Sequence, residues 1–191
     1  MEDELTREEE RDLALRIQRG DREAFAGRVN AYREQAMAAA MNILQNEEDA
    51  RDLTQDAFVR AYKSFDRFQP TRPFFPWYYK ILRNLCMTHL RRFGRRRRQS
   101  FDQLLEEEHV QFPDEQEDAR EQLHRQEMAA YLRKALKSIK PKFREIIVMK
   151  DFQDMSYEEI SFALNIPKGP VMSRLYHASQ SLKKKMEKFQ S

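Results

Sequence analysis

The sequence predicts an all-α fold: two small helical domains joined by a flexible linker, the second containing a helix-turn-helix. Three observations predict it. Glycine is scarce, at 4 of 191 residues, while charged residues make up 35%. Apolar residues recur at helical spacing over long stretches with few β-branched alternations. That periodicity lapses once, between residues 99 and 122, and then resumes. A chain of this length divides readily into two small domains, each able to bury a core.

Residues 6–19 read as a first helix, ended by Gly20. Asp21 is a candidate N-cap for a second, with Phe25, Val29, Tyr32, Ala36 and Ala40 along one side. Asn46 begins a third, whose acidic first turn suits the helix dipole. Its apolar stripe is Leu53, Ala57, Ala61 and Phe65, widened by Phe58 and Tyr62. Asp66 to Pro73 holds two prolines and reads as a loop. Pro76 suits the first turn of a fourth helix, where its missing N–H costs nothing. In that helix Trp77, Tyr78, Ile81, Leu82 and Leu85 form the expected core stripe, and Lys80, Arg83, Asn84, Met87 and Arg91 fall on another side. Four such helices make a bundle over residues 1–95. Residues 96–122 read as the linker, and helical period resumes over 123–138. Pro141 starts a further helix carrying Phe143, Ile146, Ile147 and Met149, within a second domain at 123–191.

Composition and charge exclude several classes. The chain opens MEDELTREEE, without a signal sequence, and no apolar run approaches membrane-spanning length. The single cysteine, Cys86, cannot form an internal disulfide, so a soluble cytoplasmic protein is expected. Cys86 and His89 lie at i, i+3, but His109, His124 and His177 are scattered, so no metal site and no cofactor is expected. No Gly-rich phosphate loop and no nucleophile–base pairing can be named. Glu106 to Glu108 read as solvated linker charge and not as acid–base catalysts, so an enzyme is not expected.

The net charge of +3 is modest, but its distribution is uneven: Arg91 to Arg98 is strongly basic and Glu106 to Glu121 strongly acidic. The stretch from Arg72 to Arg98, RPFFPWYYKILRNLCMTHLRRFGRRRR, runs a dense aromatic patch into a block of arginines. Aromatic rings stack unpaired bases and arginines follow a phosphate backbone. The same pattern also describes core aromatics beside a solvated basic run, and Phe74, Phe75 and Tyr79 stay divided between the two readings. Towards the C-terminus, Ser156 and Glu159 form a capping box, with Ile160, Ala163 and Leu164 as the inner face of the helix they start. Asn165 to Gly169 reads as a short turn, and Pro170 opens a helix with Val171, Leu175, Ala178 and Leu182 inward. That is the pattern of a helix-turn-helix, whose second helix enters a major groove by its N-terminal end. Lys168, Met172, Ser173, Arg174, Tyr176 and His177 stand at or near that end, with Lys183 to Lys185 at the far end suited to phosphate. An ordinary helical hairpin is the alternative.

Three blocks, in order, resemble the group IV (extracytoplasmic-function, ECF) sigma factors of bacterial RNA polymerase: Gly20 to Phe25; Asp49 to Phe58 with Arg60, Ala61 and Tyr62, leading into Phe75 to Asn84; and the helix-turn-helix. The resemblance implies the second and fourth sigma regions, with promoter recognition and transcription initiation as the function. It implies that Asp52, Gln55 and Asp56, on one polar face at i, i+3 and i+4, dock on the β′ clamp helices of core polymerase, with the β flap as a further contact. It places −10 strand capture on the loop and following helix, at Ser64, Phe65, Arg67, Phe68, Arg72, Lys80, Arg83, Asn84 and Arg91. Extruding a base costs a few kcal/mol and stacking returns about 1–3 kcal/mol, so capture roughly balances extrusion. Arg95 to Arg98 would meet duplex phosphates, and the acidic linker would thread towards the polymerase active-site and RNA-exit region. The −35 duplex falls to the second helix of the helix-turn-helix. There Pro170, Met172 and His177 depart from the family pattern, as Pro76 does earlier, while Ser173 and Arg174 match it. An anti-sigma factor or other regulatory partner is expected, and nucleoid association when bound to polymerase. Two other readings remain: a dimeric helix-turn-helix regulator, and a basic protein of membrane surfaces or RNA.

Overall fold

The computed structural model describes residues 7–97 and 119–187, and among these all regular structure is helical. The first domain holds α1 (Arg7–Gln18), α2 (Arg22–Leu44), α3 (Glu47–Lys63), a single 3-10 turn (Phe65–Arg67) and α4 (Phe74–Arg97). The second holds α5 (Ala119–Ser138), α6 (Pro141–Ile147) continued by a π-turn over Val148–Phe152, α7 (Tyr157–Leu164) and α8 (Lys168–Glu187).

Local chemistry sets the boundaries. Gly20 takes a left-handed φ of 95°, which lets the chain turn out of α1. The Asp21 carboxylate then accepts from the Ala24 N–H, and that bond, with help from Arg16, holds its carboxyl below the usual range. Asn46 caps α3 in the same way by accepting from the Asp49 N–H at 2.8 Å. In the second domain both halves of the capping box are formed: Ser156 accepts from the Glu159 N–H, and Glu159 accepts from the Ser156 N–H. Asn165 ends α7 in the left-handed region at φ 54°.

Two boundaries differ from the sequence expectation. Helix α5 starts at Ala119, four residues inside the expected linker; its opening turns are polar and carry no apolar stripe to announce them. Helix α8 starts at Lys168 rather than Pro170, because Pro167 already supplies a carbonyl to the Val171 N–H at 3.2 Å. The turn of the helix-turn-helix is therefore only Asn165 to Pro167.

Small residues let the bundle close. Ala36, Ala39, Ala40, Ala50, Ala57 and Ala61 are all buried where α2 and α3 cross. Aromatics fill the remaining volume: the Phe58 and Tyr78 rings stack at 4.3 Å, and Phe65, Phe68, Phe74 and Trp77 form a connected cluster beneath the loop. The core line of α4 is Phe74, Phe75, Tyr78, Tyr79, Leu82 and Cys86, whereas Trp77, Ile81 and Leu85 are only half-buried. The expected stripe was rotated from this one by part of a turn, because α4 packs on two sides. One side meets α2 and α3; the other meets α7 of the second domain. Contacts between α2 and α6 complete the junction, and one apolar cluster runs through both domains.

Candidate nucleic-acid interface

On α3, the buried face is Ala50, Thr54, Ala57, Phe58 and Ala61. The opposite face exposes Asp52, Gln55 and Asp56 together, as their spacing requires. The Asp56 carboxylate accepts from Arg60 at 3.2 Å, an exposed i, i+4 pair of about 0.3–0.5 kcal/mol that a partner easily displaces. Val59 lies one turn beyond Gln55 and is 44% exposed. Sequence reasoning missed it, although a β-branched apolar residue on a polar helix face was the available signal.

The loop before α4 is held from below. Gln18 of α1 donates through its side-chain amide to the carbonyls of Phe65 at 3.2 Å and Phe68 at 2.8 Å. The Phe65 and Phe68 rings are 3% and 4% exposed. They were expected at the −10 strand, but burial in the aromatic cluster removes both rings from the surface; a rigid loop needs an apolar underside more than an exposed one. Ser64 is half-buried and donates its hydroxyl to the Arg60 carbonyl at 2.8 Å, and Arg67 is exposed. Phe74, Phe75 and Tyr79, which the sequence left divided, all lie in the core.

Along α4, Asn84 and Arg91 face solvent, and Arg91 leans back to the Met87 carbonyl at 3.2 Å. Arg83 and Lys80 are half-buried against the second domain, whereas Arg72 stays exposed beside it. Arg83 donates through Nε to Glu145 Oε1 at 2.5 Å and through Nη2 to Oε2 at 3.4 Å. The Tyr79 hydroxyl donates to the same Glu145 Oε1 at 3.3 Å. Burial works against the Arg83 charge, but the Glu145 carboxylate outweighs it and holds the guanidinium above its ordinary pKa. Burial, with Glu145 second, pushes the Tyr79 hydroxyl well above 10. Arg72 Cζ lies 4.6 Å, and Lys80 Nζ 5.3 Å, from the centroid of the Phe162 ring on α7. Neither Glu145 nor Phe162 was singled out from the sequence, since nothing local marks a residue whose role is to cover another domain.

On α8, Val171 and Ala178 are buried and Leu175 and Leu182 half-buried, as an inward face requires. Met172 and Tyr176, at i and i+4, are 55% and 64% exposed, beside exposed Ser173 and His177. Arg174 is half-buried, and Lys168 bonds to Glu158, whose carboxyl it holds below the usual range. Two large apolar side chains standing in water on a helix with its own core face mark an outward contact surface. Cys86 and His89 serve separate ends: Cys86 is buried, its thiol pushed up to about 12 by burial, and His89 Nε2 lies 3.1 Å from Asp49. No helix among the described residues is long and apolar enough to cross a membrane. The side chains of Arg95 to Arg98 and the acidic stretch 99–118 lie outside the described residues.

The family model for sigma-70 region 2 matches residues 28–97, and that for sigma-70 region 4 matches residues 129–182. The chain belongs to the sigma-70 family. The RNA polymerase sigma-H factor of Pseudomonas aeruginosa is 28% identical to this sigma factor over 188 residues, covering 96% of both chains. The ECF RNA polymerase sigma factor SigE of Mycolicibacterium smegmatis is 32% identical over 163 residues, which are 85% of this chain and 62% of that one. The sigma factor RpoE of Bartonella quintana, solved in complex with the anti-sigma factor NepR, shares the fold at a TM-score of 0.70, with 21% identity over 85% of this chain and 96% of that one. This sigma factor is thus of the ECF group, a promoter-recognition subunit of RNA polymerase that binds core enzyme and promoter DNA.

Proposed function

We propose that the two domains divide the work of initiation. The first, residues 1–95, docks on core polymerase through Asp52, Gln55 and Asp56, with Val59 as an apolar contact beside them. The same domain holds the melted −10 strand along Arg67, Arg72, Lys80, Arg83, Asn84 and Arg91, with Ser64 in the bracing loop. The second, residues 123–191, reads the −35 duplex through Ser173, Arg174, Met172, Tyr176 and His177, with Lys168 at the helix start. The chain needs no catalytic site of its own: it positions DNA for the polymerase and works in the cytoplasm, on the nucleoid when polymerase-bound.

The observation that carries this reading is the pairing of two exposed faces, the acidic one on α3 and the Met172–Tyr176 one on α8, neither of which serves the fold. Arg83 is engaged by Glu145 and Lys80 is half-buried beside Phe162, so strand capture along this part of α4 requires the domains to separate. Free chain is therefore a closed form, and docking on core polymerase supplies the free energy that opens it. By analogy with the relative solved with an anti-sigma factor, a regulator of that kind holds this chain inactive. Adding purified chain to core polymerase tests the reading: promoter-specific transcripts support it, and random initiation indistinguishable from core alone overturns it.

A further inference from the structure

The outward face of α8 has a composition that the fold does not call for. Met172 and Tyr176 stand one turn apart, 55% and 64% exposed, and neither belongs to the apolar cluster that runs through both domains. Ser173, His177 and Gln180 share that face, whereas Arg174 is half-buried. The Tyr176 ring meets the His177 ring nearly edge-on, with centroids 5.5 Å apart and planes at 70°, which limits how far it can turn. Two large apolar side chains held together in water serve a contact and not the core.

Charge identifies the surface that this face meets. From Lys168 to Met186 the helix carries no carboxylate, and Lys183 and Lys184 stand exposed near its end. Lys168, at the start, is already engaged by Glu158, so cationic charge concentrates at the far end. Lys183 follows Met172 by three turns, roughly 16 Å along the helix at about 1.5 Å per residue. A major groove is about 12 Å wide, so a helix lying in it with Met172 and Tyr176 at the base edges carries Lys183 to the phosphates at the rim.

What such a pair can read is narrow. A thioether has no donor and is only a weak acceptor, so methionine matches neither the N7 and O6 of guanine nor the amino groups of cytosine and adenine. The apolar group that a base pair presents in the major groove is the C5 methyl of thymine. The flank of a phenol ring is apolar as well, and suits the same methyl.

We propose that Met172 and Tyr176 form a methyl-reading pair that makes this chain select thymines within its −35 element. The inference rests on the reading that α8 enters the −35 duplex, and it names the base preferred there. At i, i+4 the two side chains start about 6 Å apart along α8, so the thymines they touch lie no more than about two base-pair steps apart, on either strand. A methyl seated against apolar surface is worth about fourfold in affinity, and two of them about fifteenfold.

The test uses the full chain with core polymerase. Duplexes bound from a library randomised over the −35 region are sequenced, and thymines of the enriched element are replaced one at a time by deoxyuridine, which removes only the methyl. Replacement at each of two nearby thymines should weaken binding about fourfold, and both together about fifteenfold, while deoxyuridine elsewhere in the promoter changes nothing. Met172→Ala should abolish the sensitivity at one thymine and Tyr176→Ala at the other. Met172→Leu and Tyr176→Phe, which keep the apolar surface, should retain it. All four changes fall at exposed positions, so the fold tolerates them. An enriched element without thymine, one indifferent to deoxyuridine, or a sensitivity unchanged by the alanine variants overturns the inference while leaving promoter reading by α8 in place. Weaker association of the alanine variants with core polymerase in the absence of DNA, with deoxyuridine sensitivity intact, also overturns it, by making the pair a protein contact. A library with no enriched upstream element refutes the −35 reading itself, and this inference falls with it.

Discussion

Changing Glu145 to Gln isolates the contact that closes the molecule. Glu145 and Arg83 are 11% and 26% exposed, so their bond is shielded but not sealed from water. A hydrogen bond to a charged group is worth about 1.5–3 kcal/mol and a neutral one about 0.5–1.5 kcal/mol. Glutamine keeps the size and one acceptor for Arg83 or Tyr79, so the loss is the difference, about 1–1.5 kcal/mol before allowing for the exposed edge of Arg83. About 1 kcal/mol then shifts the closed–open balance roughly fivefold towards open. Dyes on Arg11→Cys and Lys184→Cys, both at exposed positions, report the interdomain distance by single-molecule energy transfer. The buried Cys86 thiol, pushed up to about 12, stays unlabelled under native conditions. The low-transfer population should rise about fivefold, and the affinity of free chain for a −10 single strand should rise by a similar factor. An unchanged distance distribution refutes the closing role of Glu145; a larger open population without tighter strand binding refutes the idea that closure hides the strand surface.

Replacing Asp52, Gln55 and Asp56 together with alanine should abolish co-purification with core polymerase while leaving the thermal midpoint within a few degrees, because all three are exposed. Arg174→Ala should weaken binding to a −35 duplex by about 1–3 kcal/mol in an electrophoretic assay, and the loss should vanish on duplexes with altered −35 sequence. Ser156→Ala removes one half of the capping box and should destabilise the chain by about 0.5–2 kcal/mol in urea unfolding. Burial pushes the Cys86 thiol up to about 12 in the fold, well above an ordinary thiol. The native state therefore keeps a proton that the unfolded chain releases, and stability falls as pH rises from 9 to 12. Tyr78 and Tyr79, also raised, add to the same slope, and Cys86→Ala should make it shallower.

The parts of the fold written in local chemistry were legible in the sequence. Asp21, Asn46 and the Ser156–Glu159 box announce their helices because caps act within one turn. Asp52, Gln55 and Asp56 share a face because helix geometry compels it, and the recognition helix is marked by its own inward stripe. What local patterns could not give was the packing between domains. The core line of α4 departs from expectation because α4 is sandwiched, and Tyr79 is buried by a domain sixty residues further along. Phe65 and Phe68 were expected at the strand because the resemblance assigns the whole loop to it, and only burial separates a ring that stacks on a base from one that packs the core. Gln18 escaped notice for a related reason: its amide braces a loop some fifty residues away.

In vitro transcription by core polymerase on a library of random upstream sequences, with and without the chain, tests the central claim most directly. A promoter-recognition subunit predicts defined start sites sharing two upstream elements, a duplex-read −35 and a melted −10, that disappear when Asp52, Gln55 and Asp56 are replaced. Start sites unchanged by adding the chain, or a duplex footprint that forms equally well without polymerase, would contradict it.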